Sequence, residues 1–444
     1  MSLAGPVAPL SGHQVLTFLL LIGLLLGLAV VLGQLARRFG LPSVVGELTA
    51  GVLVGPSVVG ALTPGLWDWL RLGEPGQLHL VDAVGQLGVL LLVGLTGINV
   101  DLSLLRRKAG TVVWVGATAL LVPLAIGVAV GFALPATLVA DGTGRLTFAA
   151  FVGVAMCVSS IPVIAKTLLE MRLMHRDVGQ LIISTATVDD IVGWVLLSVV
   201  SAMATVGVRA GELLLVVGYL LALLAACVLV ARPVVGPVLR FAVRSKDPGM
   251  VVAVTVLLIF GFSVGTHALG LEAVLGALLG GMVIGSSRWL DRERLAPLRT
   301  FVMAVLAPLF FATAGLRMDL TALGRPAVLV AGLVVLVLAV VGKFAGAYLG
   351  ARTARLSHWE SMALGAGLNA RGAIEVIIAI VGLQLGVLNT AMYTIVVLVA
   401  IVTSLMAPPV LRYAARHIEE TGEEQRRERR MAGADDQPPL RAVS

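Results

Sequence analysis

The hydrophobic positions of this sequence form long apolar runs, which are separated by short polar segments. Each run is about 20 residues long, the length that an α-helix needs to cross a bilayer. A transmembrane β-barrel would show short segments of alternating hydrophobicity, so continuous runs favour helices. The sequence predicts an all-α polytopic membrane protein with about 13 spans, near 14–36, 42–60, 79–99, 109–135, 146–169, 178–205, 210–231, 249–267, 270–286, 300–317, 326–350, 358–383 and 389–411.

The charges of the loops test this count, for which twelve spans is the alternative because 249–286 is interrupted only weakly. One set of alternate loops, beginning with the loop of Arg37 and Arg38, holds most of the basic residues. The other set holds only Arg71, Arg145, Arg209, Arg317 and Arg325. The bias continues through both halves of the chain, which favours thirteen spans. Because basic loops stay inside, the N-terminus is predicted outside and the C-terminus in the cytoplasm of a cell (inner) membrane.

Composition agrees with a membrane protein and limits the other classes. The 444 residues are 58% hydrophobic and 13% charged, with a mean hydropathy of +1.02, whereas soluble domains have roughly 25% charged residues. The net charge of +7 does not indicate nucleic-acid binding, because the basic residues lie mostly at span ends. Residues 1–411 are predicted to be a membrane transporter domain, and the charged segment 412–444 a disordered cytoplasmic tail. We expect no cofactor and no metal site other than one for a transported cation.

An internal repeat is visible in glycine-rich segments. Span two contains Gly46, Glu47, Gly51 and Gly55, and span nine contains Glu272, Gly276, Gly281 and Gly285. The segments 97–102 and 315–320, at the ends of spans three and ten, also match. Each match pairs spans that are seven apart, and an odd separation means that the related segments cross the membrane in opposite directions. The sequence thus predicts inverted-topology repeats at about 14–205 and 249–411, joined by a linker helix at 210–231.

Two adjacent carboxylates, Asp189 and Asp190, lie near the middle of span six. A charge buried in lipid costs at least about 2.5 kcal/mol, so such a residue requires a reason. A crowded, poorly solvated carboxylate can take a proton or bind a dehydrated cation, but does not readily do both. That competition is the minimum chemistry of cation/proton exchange. The alternative is a structural salt bridge between helices, for which a single acidic residue would suffice.

Lys343 lies within span eleven, and a buried ammonium requires a partner. An aspartate of span six is the natural partner. The lysine either releases its proton when the cation binds or serves as a static counter-charge, and the sequence leaves both readings open.

Two segments are typical of broken helices. Span five contains Ser159, Ser160 and Pro162, and proline removes a backbone donor that neighbouring hydroxyls can replace. Span twelve contains three glycines with Asn369 and Arg371. The two spans are again seven apart, and interruptions at corresponding repeat positions point to a transport site. The alternative is a simple proline kink and a tightly packed glycine helix.

The remaining charged residues of the spans are less informative. Arg371 and Glu375 are spaced to pair on one helix face and are interpreted as mainly structural. Glu47 and Glu272 lie near span ends, where they can reach the interface, and their role is left as structural or uncertain.

These residues together resemble the monovalent cation:proton antiporter superfamily, with its sodium/proton exchanger domain. The most similar branch contains the bacterial Kef-type transporters and the plant cation/proton exchangers. The resemblance rests on segments that occur in the same order and cover nearly the whole chain except the tail: 46–57, Asp189-Asp190, 310–316, 342–344 and 368–372.

The resemblance implies a fold and a set of roles. The two broken helices would cross near the bilayer middle, beside the paired aspartates. Asp190 would be the principal carrier of cation and proton, and Asp189 would pair with Lys343 in the cation-free state. Thr187 and the backbone near Ser159 and Ser160 would line the site. A core domain would move against a dimerisation domain in a homodimer, which gives alternating access.

The predicted function is therefore exchange of a monovalent cation, Na⁺ or K⁺, for protons. A proton- or sodium-coupled transporter of an organic solute on the same fold is the first alternative. A membrane sensor that uses an inactive transporter fold is the second, and the intact aspartate pair and Lys343 argue against it. The sequence shows no nucleophile and base arrangement that would indicate an enzyme.

Overall fold

The computed structural model describes residues 11–70, 72, 74–99, 109–205, 218, 232–245, 247 and 249–425. Regular structure within these ranges is helical, and the one β-bridge, between Val139 and Leu388, is isolated. The helices in chain order are α1 (Gly12–Arg38), α2 (Ser43–Val54), α3 (Pro64–Trp69), α4 (Pro75–Ile98), α5 (Ala109–Ala133), α6 (Arg145–Cys157), α7 (Ile161–Glu170), α8 (Asp177–Thr205), α9 (Arg232–Arg244), α10 (Gly249–Ala268), α11 (Ala273–Gly285), α12 (Ala296–Phe301), α13 (Ala307–Leu316), α14 (Pro326–Thr353), α15 (His358–Leu368), α16 (Ala373–Gln384) and α17 (Thr390–Ala415). Short π-helical turns, Pro56–Gly60 and Val302–Leu306, follow α2 and join α12 to α13.

The helices agree with the predicted spans. Among the described residues, nine helical segments are long and apolar enough to cross a membrane, and the bent pair α15–α16 makes a tenth. The broken pair α6–α7 and the short apolar helix α11 coincide with two more predicted spans. The predicted span 210–231 lies outside the described residues. The all-α polytopic prediction is therefore confirmed, and the count of thirteen is consistent with what is described.

The stretch 249–286, where twelve and thirteen spans differed, forms two helices. The first ends with Gly270 in the left-handed region, at φ +75°, and the Leu271 N–H donates back to Thr266 O at 3.0 Å. This is the pattern by which glycine terminates a helix. The chain therefore reverses between α10 and α11 as the thirteen-span count requires.

The chain divides into two compact units. Unit 1 comprises Met1–Val100 and Arg209–Pro326, and therefore contains α1–α4 and α9–α13. Unit 2 comprises Asp101–Val208 and Ala327–Ser444, and contains α5–α8 and most of α14–α17. Each unit takes corresponding segments from the two halves of the sequence, as expected for a repeated sequence whose halves are interleaved.

The repeat is visible as matched close contacts within unit 1. A Cβ atom added at any of six helix glycines would overlap the main chain of a neighbouring helix, so these helices can pack closely only with glycine there. The contacts occur in equivalent pairs, which are Gly46 on Leu32 and Gly276 on Phe262, Gly51 on Ala312 and Gly281 on Gly94, and Gly315 on Leu48 and Gly97 on Leu278. The glycines that suggested the repeat therefore make the same contact twice, as an inverted repeat requires.

Unit 2 packs around α8. Its apolar core joins residues of α5, α7, α8, α14, α15 and α17, including Ile182, Leu364 and Leu411. Local sequence fixes where its helices begin: Ser357 and Glu360 form a capping box at α15, and Asn389 caps α17.

The predicted boundary of the disordered tail at 412 is too early. Helix α17 continues to Ala415, and the structure describes the chain to residue 425. Glu424 is 2% exposed and accepts a hydrogen bond from the Asp177 N–H, at the start of α8, at 2.6 Å. Residues 426–444 lie outside the described part of the chain.

Candidate functional site

Helix α8 carries both aspartates into the interior of unit 2. Asp189 is fully buried and Asp190 is 3% exposed. Consecutive residues of an α-helix point about 100° apart, so the two carboxylates cannot share one set of partners. Thr187, on the same helix, is buried and donates its hydroxyl to Ile183 O at 2.9 Å. The two aspartates accordingly have different surroundings, although they are neighbours in sequence.

Asp189 is the paired carboxylate of the two. Its Oδ2 lies 2.5 Å from Lys343 Nζ and 2.9 Å from Ser159 Oγ. Lys343, fully buried, also donates to Cys157 O at 2.5 Å, the last carbonyl of α6. Buried opposite charges require such pairing and further hydrogen bonds to offset their desolvation. The predicted partnership between Lys343 and an aspartate of α8 is thus present in the structure.

Asp190 has no comparable partner. Neither of its carboxylate oxygens accepts a hydrogen bond of normal geometry from the described residues. The Ile161 N–H, at the first residue of α7, lies close to it. A helix N-terminus carries partial positive charge, but it does not neutralise a full negative charge. A buried carboxylate in this state is suited to accept a proton or a cation.

Both predicted helix breaks are present, and they contact each other. One break separates α6 from α7 at residues 158–160, and the other separates α15 from α16 at 369–372. The Ser160 N–H donates to Ala370 O at 3.0 Å, and the Ser159 hydroxyl lies 2.8 Å from Leu368 O. Main-chain groups that the breaks leave without a helical partner are therefore bonded across the crossing, which is how irregular backbone is tolerated at membrane depth.

Glycine permits this close crossing at residue 372. A Cβ atom at Gly372 would lie 2.7 Å from Val163 Cγ2 and 3.1 Å from Ser160 Oγ. Pro162 is the second residue of α7, where a backbone N–H would have no intrahelical acceptor. The prediction that Pro162 breaks the helix by removing a donor is therefore wrong in its detail, since the break precedes it. The side chain of Pro162 lies outside the described part.

Arg371 binds the end of α6 as well as its own helix. Its guanidinium donates to Met156 O at 2.6 Å and to Ala339 O of α14 at 3.0 Å. It also pairs with Glu375 Oε1 at 3.2 Å, which confirms the predicted i,i+4 pair. Lys343 and Arg371 together place two cations against the last carbonyls of α6, where the helix dipole favours positive charge.

The other predicted residues fall into two groups. Asn369 lies in the second break, and its Nδ2 donates to Val340 O at 3.1 Å, so it belongs to the crossing. Glu47 and Glu272 belong to unit 1, where Glu47 is 8% exposed on α2 and Glu272 is partly exposed just before α11. They are thus not in the unit that holds the paired aspartates.

The sequence did not reveal the acceptors of the site. The carbonyls of Cys157, Leu368 and Ala370 hold Lys343 and the two breaks together. Because every residue has a carbonyl, no residue type signals these roles. Ser404 of α17, which donates its hydroxyl to Arg371 O, was also missed, since a lone serine in an apolar span carries no distinctive pattern.

Comparisons with known proteins agree with this geometry. The family model described as "Sodium/hydrogen exchanger, transmembrane" matches residues 15–416. The Na⁺/H⁺ antiporter NhaS4 of Synechocystis is 29% identical over 391 residues, which are 87% of this chain and 94% of that protein. The Na⁺/H⁺-K⁺ antiporter GerN of Bacillus cereus is 26% identical over 381 residues, 86% of this chain and 92% of that protein.

More distant relatives extend the likeness. Cation/H⁺ antiporter 17 of Arabidopsis thaliana is 27% identical over 402 residues, which are 90% of this chain but only 48% of the plant protein. The solved structure of the sodium proton antiporter MjNhaP1 from Methanocaldococcus jannaschii has the same fold, with a TM-score of 0.71 and 15% identity over 91% of this chain and 99% of that one. Since the family model covers most of the sequence, this chain belongs to the transmembrane sodium/hydrogen exchanger family, a family of secondary transporters.

Proposed function

We propose that the protein is an antiporter that exchanges a monovalent cation for protons by alternating access. The observation that carries the proposal is Asp190, a buried carboxylate whose oxygens have no hydrogen-bond partner among the described residues. Such a group in a membrane protein is expensive unless it has a function. A proton or a dehydrated cation would neutralise it, and each would exclude the other.

Asp189 and Lys343 would set the conditions of this competition. Their ion pair leaves the Oδ1 atom of Asp189 without a partner, so this carboxylate still has an oxygen to offer a cation. A cation that bound both aspartates would compete with the ammonium for Asp189. The resemblance to the exchanger family supports this reading of Asp190 as principal carrier and of Asp189 and Lys343 as a pair that opens on binding.

Other oxygens in unit 2 are suited to complete a cation site. The Ser160 hydroxyl, the Thr185 hydroxyl and the Asn369 side-chain carbonyl are buried and accept no hydrogen bond from described groups. Hard cations such as Na⁺ and K⁺ are bound by oxygen ligands, and selectivity between them depends on cavity size and ligand number. The names of the relatives favour sodium or potassium as substrate.

The setting of this activity is also part of the proposal. The basic loops favour a multi-pass protein of the cell membrane with its N-terminus outside and its C-terminus in the cytoplasm. A homodimer that moves one unit relative to the other is the assembly that the family resemblance supports.

Proton movement in liposomes tests the proposal. Purified protein is reconstituted with an imposed pH gradient, Na⁺ or K⁺ is added, and a pH-sensitive dye reports proton flux. We expect a cation-dependent pH change with the wild type, and with Asp190→Asn only the signal of empty liposomes. Asp141→Asn is the matched control, because Asp141 is an exposed carboxylate of the same unit.

Two outcomes would overturn the proposal. One is full exchange by Asp190→Asn, which would remove the carboxylate from the mechanism. The other is no response of the wild type to either cation over a broad pH range. The second would turn attention to an organic solute, an alternative that the comparisons do not support.

A further inference from the structure

A cationic cavity in unit 1 has no role in the exchange described above. Its volume is about 630 Å³, and it lies between α9 and the segment that follows α11. Its lining includes Arg240 and Arg244 from α9, with Arg288 and Trp289 from the segment after α11. No carboxylate is among the described residues that line it. The cavity therefore favours an anionic ligand.

The three arginines of this cavity have no anionic partner within the described chain. The Arg240 guanidinium lies 4.9 Å from the centre of the Trp289 ring, and that of Arg288 lies 5.1 Å from the same centre. Two like charges at one indole repel each other unless an anion joins them. Arg294, in the same segment, shows the contrast, since it pairs with Asp291 at 3.1 Å and donates to Val243 O at 3.1 Å.

Helix α9 has the form of a helix that lies on a membrane surface. Its 13 residues are too few to span a bilayer, and it lies between the predicted span 210–231 and α10. Val235, Leu239 and Ala242 are buried on one face. A second apolar stripe, Val234, Val238 and Phe241, is exposed, with Phe241 at 69%. An exposed apolar stripe beside arginines is typical of a helix at the boundary between headgroups and acyl chains.

We propose that this cavity binds the phosphate headgroup of an anionic phospholipid. The phosphate lies among Arg240, Arg244 and Arg288, because guanidinium groups bind phosphate oxygens in a planar, bidentate manner. The acyl chains lie along Val234, Val238 and Phe241, and Trp289 occupies the interfacial level at which tryptophan is enriched. A free phosphate would gain the arginines but not the apolar stripe, so the lipid is the favoured ligand.

Lipid binding to the purified full-length chain tests the proposal. The chain in detergent micelles is titrated with phosphatidylglycerol, and native mass spectrometry measures the first bound lipid. Phosphatidylcholine replaces it as the zwitterionic comparison. Each basic residue near a membrane surface contributes about 1 kcal/mol to anionic lipid binding, so the double variant Arg240→Gln/Arg288→Gln should bind roughly 30-fold more weakly. Arg299→Gln, an exposed arginine of unit 1 outside the cavity, should bind as the wild type does.

Further arms separate the remaining outcomes. Arg244→Gln should weaken binding roughly 5-fold, and it keeps the test valid if the double variant does not fold. Arg240→Lys/Arg288→Lys, which retains both charges, should recover most of the affinity. Equal binding of the anionic and zwitterionic lipids, or wild-type affinity in the double variant, would overturn the proposal. Displacement of the lipid by millimolar glycerol phosphate would also overturn it, because that result would identify a site for soluble phosphates.

Discussion

Units 1 and 2 follow the same plan of interleaved halves, but they bury different chemistry. The ionisable side chains that are buried in the described part of unit 1 reduce to Glu47. Unit 2 buries eight, which are His175, Arg176, Asp189, Asp190, Lys343, Arg371, Glu375 and Glu424. The helices of unit 1 are held instead by glycines packed against main-chain atoms. One plan thus serves as a close-packed apolar scaffold in one unit and as a charged, hydrogen-bonded site in the other.

The difference teaches where substitutions should affect folding and where they should affect transport. Close packing of helices fails when atoms are added, because backbone cannot move aside as a flexible side chain does. A charged network fails when one partner is removed, because the other partner then remains buried without compensation. The following experiments test this division.

Lys343→Met should have the largest effect on stability. It leaves Asp189 buried without its cation, and removing one partner of a buried ion pair costs about 3–5 kcal/mol. The double variant Lys343→Met/Asp189→Asn should recover most of that loss, since both charges are then absent. Thermal unfolding in detergent, followed by tryptophan fluorescence, measures both. Arg299→Met is the control for loss of an exposed cation. A double variant no more stable than the single one would contradict the pairing as the source of the effect.

Added methyl groups should break unit 1 to a smaller extent. Gly51→Ala places a Cβ atom 2.5 Å from Leu316 N, and Gly281→Ala places one 3.1 Å from Gly97 Cα, and both also overlap a carbonyl oxygen. Overpacking of this kind costs about 1–3 kcal/mol. Because the two sites are equivalent in the repeat, the two losses in melting temperature should be similar.

A glycine in open surroundings supplies the control for these variants. No atom lies within 4 Å of a Cβ added at Gly261, in α10. Gly261→Ala should therefore be neutral or slightly stabilising, because alanine favours helix. A melting temperature for Gly51→Ala equal to that of Gly261→Ala would disprove the role of close packing in unit 1.

The broad features of the fold could be predicted because they depend on properties of single residues. Hydropathy located the spans, and the glycines of α2 and α11 located the repeat, since only glycine permits those contacts. The ion pair of Asp189 and Lys343 was predictable because a charge inside a span requires an opposite charge. Which aspartate pairs with the lysine was not a matter of pattern, since it depends on the rotation of α8.

Other features depend on groups that residue types do not distinguish. The bonds between the two breaks use main-chain atoms, and Arg371 reaches carbonyls of α6 that lie far away in sequence. Helix α9 was treated as a loop, although Val235, Leu239 and Ala242 have the spacing of a buried helical face. The ordered start of the tail was missed because its composition is charged. A local signal was available there, since Thr421 and Glu424 have the spacing of a capping box.

Glu424 extends the charged character of unit 2 to the end of the described chain. Its carboxylate accepts hydrogen bonds from the Asp177 N–H at 2.6 Å and from the Thr421 N–H at 2.7 Å, and Arg176 Nε lies 3.4 Å from it. Burial alone would raise the pKa of Glu424, but these hydrogen bonds and Arg176 outweigh it, so the pKa lies below its ordinary value. The carboxylate thereby holds the tail at the first residue of α8, the helix that carries both aspartates of the site.

Glu424→Gln should have the smallest effect of the three changes, and its dependence on pH identifies the cause. A lowered pKa means that the folded state favours the ionised form, so the stabilisation is complete above the ordinary carboxyl pKa and decreases as the pH falls through the folded pKa. At pH 7 the variant should lose about 1 kcal/mol of stability, because it replaces charge-assisted hydrogen bonds with weaker ones. Below about pH 4 the wild type and the variant should converge in melting temperature. Glu423→Gln, at the neighbouring exposed position, should match the wild type at both pH values. A difference at Glu424 that persists unchanged at acid pH would mean that the shape of the side chain, and not its charge, fastens the tail to α8.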